Sequence, residues 1–149
     1  MNDKLKAMLT IHEGKRVRPY ADSVGIKTIG CGHNMEAKPL PSDIQAFLDA
    51  NNYITDEMID RLLVSDVRDA TTSCEALYDD FPNFSENRQN ALIDFLFNIG
   101  LGSARKFIHA NYYINHGEWE NAADALLDST WAKQVHSRAT DITELIRSG

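Results

Sequence analysis

The sequence predicts an α+β fold: a small N-terminal lobe with a short antiparallel sheet, a long connecting helix, and a larger all-helical C-terminal lobe. Three observations predict it. Apolar spacing is helical over residues 3–12 and helical again from Ser85 onward. Between Arg16 and His33 the period changes to β-branched and aromatic residues punctuated by Gly25, Gly30 and Gly32. An apolar stripe then runs from 58 to 77, a helix of about 22 residues and nearly twice the mean length.

Leu5, Met8, Leu9 and His12 share one face of the first helix, and Gly14 stands where a C′ glycine ends a helix, which places Glu13 at its C-terminus. Strands follow near 16–21 and 26–30, with a third near 33–36. The Asp22-Ser23-Val24-Gly25 segment carries turn chemistry. Residues 38–41 form a proline-marked loop. Ser42 followed by Gln45 has the capping-box pattern, opening a helix with Ile44, Phe47 and Leu48 inward. Thr55 is the expected N-cap of the long helix, with Asp56 and Glu57 in its first turn. Later, Leu92, Phe95, Leu96 and Ile99 form a face closed by Gly100, and three further helical segments centre on Tyr112, Ala123 and Leu145. Repeats, low-complexity tracts and flexible linkers are absent. The expected organisation is one domain, 1–149, with a small lobe at about 13–55, a helical lobe from 1–12 and 56–149, and a cleft where they meet.

Composition excludes several functions. A net charge of −7, with Lys15, Arg16 and Arg18 as the only basic cluster, argues against nucleic acid as a partner, because phosphate neutralisation needs clustered cations. The longest mostly apolar run, 91–101, is interrupted by Asp94 and Asn98 and falls far short of the roughly 20 residues that span a bilayer, so membrane insertion is not expected. The opening MNDKLKAML is charged from Asp3 and leads into no apolar signal region, so a secretory signal is not expected either. Cys31 and Cys74 make neither a disulfide framework nor a four-ligand metal site and read as reduced, buried thiols. No metal or other cofactor is expected.

Hydrolysis of a glycosidic bond needs one acid to protonate the leaving oxygen and a second carboxylate on the other side of the sugar. Glu13 and Asp22 meet that need. The negative end of a helix dipole disfavours ionisation of Glu13, as a general acid requires. Asp22, in a polar turn, is expected to stay ionised. Thr28, on the following strand, offers a hydroxyl to hold a water beside it. Most of the 22 acidic residues are ordinary surface charge, so the pair draws its weight from the whole stretch around it.

That stretch, HEGKRVRPYADSVGIKTIGCGH, resembles the phage-type (T4-like) lysozyme or endolysin family of glycoside hydrolases. The pattern reads Glu13-Gly14, Tyr20-Ala21-Asp22, and Gly25-Ile26-Lys27-Thr28-Ile29-Gly30-Cys31-Gly32-His33. The resemblance continues through Ile54-Thr55, Asp66, the segment ALIDFLFNIG at 91–100, Trp119-Glu120-Asn121-Ala122-Ala123, Trp131 and Arg138-Ala139. It implies a lysozyme-like fold and hydrolysis of the β-1,4 linkage between N-acetylmuramic acid and N-acetylglucosamine in peptidoglycan glycan strands. It implies Glu13 as general acid, Asp22 with Thr28 as the water-positioning pair, and inversion at the anomeric carbon. Inversion requires the two carboxyl groups to lie roughly 6.5–9.5 Å apart.

The same resemblance assigns Arg138, Phe97 and Gly32 to substrate binding or orientation. Arg138 would orient the Glu13 carboxyl by a charge-assisted hydrogen bond. Phe97 would stack on sugar, core packing being the competing reading. His33 and Asp66 are implied as a structural pair that weakens in acid. Trp119 and Trp131 read as core. The resemblance further implies a monomer that waits in the host cytoplasm for a holin and acts on the periplasmic wall.

Three features depart from the family pattern. Ala110 and Ala125 stand where some members carry polar substrate contacts, and Asn34 follows His33 where an apolar residue is common. The acidic net charge predicts little electrostatic steering toward an anionic wall and good tolerance of salt. Rival readings are a lytic transglycosylase, which needs no water and manages with one glutamate, a catalytically dead wall-binding phage component, and a chitin- or chitosan-cleaving relative.

Overall fold

The computed structural model describes residues 1–149. Helix α1, Asp3–Glu13, begins where the Asn2 side chain accepts the Leu5 amide at 2.9 Å, and it buries Leu5 and Leu9. Strands β1 (Arg16–Ala21), β2 (Lys27–Gly30) and β3 (His33–Asn34) form an antiparallel sheet in the order β1-β2-β3. Tyr20 pairs with Thr28 and Ala21 with Lys27, while the register slips between Arg16 and Tyr20. Helices α2 (Ser42–Asn51) and α3 (Asp56–Leu77) follow. Thr55 caps α3 as expected, its hydroxyl accepting the Met58 amide at 3.2 Å.

The capping box expected at Ser42 and Gln45 does not form. Pro41 is the N-cap, without a side-chain hydrogen bond, and Ser42 is already helical. Proline cannot donate an N–H there, so nothing is left for Gln45 to cap. The Gln45 amide reaches forward instead, donating to Asp49 at 2.8 Å.

The chain falls into two compact units, Met1–Val67 and Arg68–Gly149. In the first, Ile29 of the sheet, Ile44 and Leu48 of α2, and Ile59 and Leu63 of α3 are buried with α1. Gly30 ends β2 beside Ile59 of α3 at φ 67, a backbone conformation that side chains rarely adopt.

The second unit begins with the remainder of α3 and continues with a 3₁₀ turn at Phe81–Asn83, then α4 (Glu86–Ala104), α5 (Ile108–Asn115), α6 (Trp119–Leu127), α7 (Thr130–Val135) and α8 (Ser137–Ser148). Seven successive α4 residues, 90–96, are buried, so the helix is covered all round and forms the core of this unit. Gly100, at φ 77 and ψ 162, breaks α4 after the apolar face that it was expected to close. Phe95 lies edge-on to Phe107 at 5.2 Å and to Trp131 at 4.8 Å. Trp131 is buried and donates its indole N–H to Asn98 at 2.7 Å, whereas Trp119 is half-buried between Phe84 and the Arg88 guanidinium. The α+β expectation, with a short antiparallel sheet, a long helix and an all-helical second part, holds.

Candidate active site

Glu13 is the last residue of α1. The helix stops because Gly14 turns to φ 75, its amide still donating to Thr10 at 2.9 Å. That halts the backbone and leaves a half-buried carboxyl at the negative end of the helix. Gly32 lies against it. A Cβ on Gly32 would stand 2.7 Å from both Cδ and Oε1 of Glu13, and the residue sits at φ 71, where side chains are disfavoured.

Asp22 and Thr28 are tied to the same peptide unit. The Ile26 carbonyl accepts the Asp22 amide at 2.9 Å and the Thr28 hydroxyl at 2.8 Å. The Asp22 Oδ1 atom accepts the Ile26 amide at 2.9 Å and the Val24 amide at 3.0 Å, which closes the turn and fixes the carboxyl plane. Both amides go to Oδ1, so Oδ2 is open for chemistry. Thr28 has spent its only hydrogen on Ile26, so its oxygen can serve a further partner only as an acceptor.

Tyr20 stands in the field of both acids. Its phenol holds its proton above the usual tyrosine range because of burial, then the nearby Glu13 carboxyl, with Asp22 and Cys31 adding to the effect and Arg16 opposing it. One ring thus senses both carboxyl groups. The residue was read in the sequence only as part of a motif. Its signal was available, since Tyr20 stands two residues before Asp22, near the end of β1, and directly across from Thr28.

His33 and Asp66 pair as expected, Nδ1 to Oδ2 at 2.7 Å, with the ring 2% exposed. The Nε2 atom faces the Lys38 carbonyl at 2.8 Å. Lys38 completes the set, donating to Ser65 at 2.6 Å and lying 3.6 Å from Asp66. The cluster ties the end of the sheet and its following loop to α3. Asn34 takes a turn role, its side chain accepting the Glu36 and Ala37 amides.

Arg138 and Phe97 belong to the second unit. Arg138, 7% exposed, donates from Nε to the fully buried Asp94 carboxylate at 2.8 Å, a partner 44 residues away that periodicity gives no means of finding. Phe97 is half-buried while its neighbour Leu96 is buried, so part of its ring stays accessible. Ala110 and Ala125 line a cavity of about 570 Å³ in company with Lys106, Asp124 and Asp128.

Comparison with known proteins converges on one family. The sequence model of the family described as "Phage lysozyme" matches residues 10–145. The chain is similar to two proteins of Dictyostelium discoideum, "Probable T4-type lysozyme 1" at 28% identity and "Probable T4-type lysozyme 2" at 29%, each alignment covering all of this chain and 96% of the relative. It is also similar, at 28% identity over 99% of its length, to 28% of the "Pre-baseplate central spike protein Gp5" of Enterobacteria phage T4.

Proposed function

Since the chain belongs to the phage lysozyme family, and so is a lysozyme-type, peptidoglycan-lysing glycosidase, we propose that it hydrolyses the β-1,4 bond between N-acetylmuramic acid and N-acetylglucosamine by a two-carboxyl mechanism. The observation that carries this reading is the Ile26 peptide unit, which ties Asp22 and Thr28 together and leaves one oxygen of each to accept a hydrogen bond.

Glu13, at the negative end of α1, gives its proton to the glycosidic oxygen as the bond from that oxygen to the anomeric carbon breaks. A water attacks the same carbon. Its two hydrogens need acceptors, and the site supplies two: the open Oδ2 of Asp22 and the Thr28 oxygen, whose own hydrogen is held by Ile26. Asp22 takes the proton that the water loses, and the water's lone pair is left to face the sugar. Attack from the side away from the leaving oxygen inverts the centre. This calls for a Glu13–Asp22 carboxyl separation of roughly 6.5–9.5 Å when substrate is bound.

The water-holding pair favours hydrolysis over the transglycosylase reading, which needs neither Asp22 nor Thr28. In this proposal the protein is a monomeric endolysin that stays in the host cytoplasm until it is released to the wall. Turbidity loss of outer-membrane-permeabilised cells tests the chemistry: Glu13→Gln is expected to be inactive, and lysis at the parent rate would refute the mechanism. Mass spectrometry of the digested wall then separates hydrolysis from transglycosylation by one water mass.

A further inference from the structure

We propose that Glu36 is a positioning residue of the reaction: through one peptide group, that between Ile26 and Lys27, its carboxylate holds Asp22 and Thr28 in the arrangement that receives the attacking water. The proposal rests on the hydrolytic reading above and extends it to a residue outside the stretch 12–33 that carries the motif.

That peptide group is engaged at both ends. Its carbonyl accepts the Asp22 amide at 2.9 Å and the Thr28 hydroxyl at 2.8 Å. Its N–H, the Lys27 amide, donates to Glu36 Oε2 at 2.7 Å. The chain has no cis peptide bond, so this N–H and this carbonyl point in opposite directions within one rigid plane. The tilt of the plane sets where the Asp22 amide and the Thr28 hydroxyl meet the carbonyl, and bonds on both edges hold that tilt. The bond to Glu36 is charge-assisted and lies at the short end of the N–H···O range. It also polarises the peptide, which makes the Ile26 oxygen a stronger acceptor. Thr28 then keeps its hydrogen on Ile26 and presents its oxygen as an acceptor.

The chain after β3 is built to bring Glu36 there. Asn34, the last residue of β3, accepts the Glu36 amide at 3.0 Å and the Ala37 amide at 2.9 Å on its side chain, and the Lys38 amide at 3.1 Å on its carbonyl. The Met35 amide donates to the Lys27 carbonyl at 2.9 Å, so Lys27 is bonded to this turn through both its N–H and its C=O. Packing does not explain the Glu36 side chain, which is exposed. Water competes for an exposed N–H, so the bond adds only modestly to the stability of the fold. Its value lies in direction: a water in place of the carboxylate would satisfy the Lys27 amide without fixing the plane. No proton or electron pair moves at Glu36, and the water's proton still passes to Asp22 Oδ2.

Glu36→Ala releases the Lys27 amide and leaves Glu13, Asp22 and Thr28 in the chain. On soluble peptidoglycan fragments its kcat is expected to fall roughly 5- to 10-fold, with KM within about twofold of the parent. Glu36→Gln keeps an oxygen that accepts the Lys27 amide and is expected to hold kcat within about twofold of the parent. Amide exchange followed by NMR reads the bond itself. The Lys27 amide should exchange at least about threefold faster in Glu36→Ala and near the parent rate in Glu36→Gln, while the amides of α1 and α3 keep their parent rates. In a Thr28→Val background, where the water-holding pair is already broken, Glu36→Ala should cost less than about twofold more in kcat. The proposal is overturned by a Glu36→Ala kcat close to the parent value, by a change in KM alone, or by Glu36→Gln as impaired as the alanine variant. It is equally overturned if the Thr28→Val background shows the full extra loss, or if exchange quickens throughout α1 and α3, since the bond would then support the fold and not the water. Full activity in a parallel Glu13→Gln control would instead sink the hydrolytic reading itself.

Discussion

A methyl group on Gly32 would stand 2.7 Å from the Cδ atom of Glu13, well inside contact distance, at a backbone φ of 71°. The atoms it would strike are the far end of a flexible side chain, so the clash is relieved by swinging the carboxyl away rather than by moving the fold. Gly32→Ala should therefore separate stability from activity. The positive φ costs roughly 1–2 kcal/mol, a modest drop in a thermal melt. Displacing the acid by about 1 Å costs on the order of 100-fold in wall hydrolysis. Equal losses in both assays would show that Gly32 serves the backbone alone.

Thr28 is expected to act through its acceptor oxygen. Thr28→Ser keeps a hydroxyl able to donate to the Ile26 carbonyl and should retain most activity. Thr28→Val keeps the shape but strands that carbonyl and removes the water's second acceptor. A loss of roughly 10- to 100-fold in kcat is the expected outcome in a turbidity assay, with substrate affinity little changed.

The ion pair of Arg138 with Asp94 is buried on both sides, with side chains 9% and 0% exposed. Taking the guanidinium from a carboxylate in that setting costs about 3–5 kcal/mol. Arg138→Ala should accordingly lower denaturant stability by that amount. An Arg138→Met, Asp94→Leu double variant should recover much of it, because two apolar groups need no partner. Activity of the refolded double variant then reports any role of Arg138 beyond the pair.

His136 links α7 to α8 at φ 51 and ψ −112, a conformation that side chains resist, and it is exposed. Its amide still donates to Ala132 at 3.0 Å, which glycine preserves. His136→Gly is expected to raise stability by roughly 0.5–1 kcal/mol. Measured melting at or below the parent value would mean that the ring makes contacts of greater worth than the strain it imposes.

Burial should also set the alkaline limit of the fold. Tyr78 is 0% exposed, and burial followed by the neighbouring Cys74 pushes its phenol well above the ordinary value of 10.0. Burial likewise raises the Cys74 thiol from 9.0. A group that holds its proton more tightly when folded contributes stability in full below its unfolded value and loses it as pH climbs toward the folded one. Stability is thus expected to decline above about pH 9 through Cys74, then further through Tyr78. Urea titrations of Cys74→Ala and Tyr78→Phe between neutral pH and strong alkali should each show a shallower decline than the parent, whatever their starting stability.

Much of this was legible in one dimension. Helix α1 with its Gly14 stop, the Thr55 cap, the 22-residue α3 and the break at Gly100 all depend on apolar period and on residues whose φ and capping preferences act within a few positions. The sheet and its Asp22 turn are equally local, as is the juxtaposition of Asp22 with Thr28. Where a local rule met a stronger local rule, it lost: Pro41 took the cap position that Ser42 and Gln45 were expected to fill.

Period and propensity, then, decided the elements, and the long spaced motif decided the family and pointed to Glu13 and Asp22 as the candidate acids. Only the folded chain decided that Gly32 presses on Glu13, that Tyr20 feels both carboxyls, and that Arg138 is held by Asp94. Those relations join residues from different elements, up to 44 positions apart, and nothing in their spacing distinguishes them from any other pair. They exist because packing brings the elements together, and the packing is set by the shape and burial of every neighbouring side chain at once.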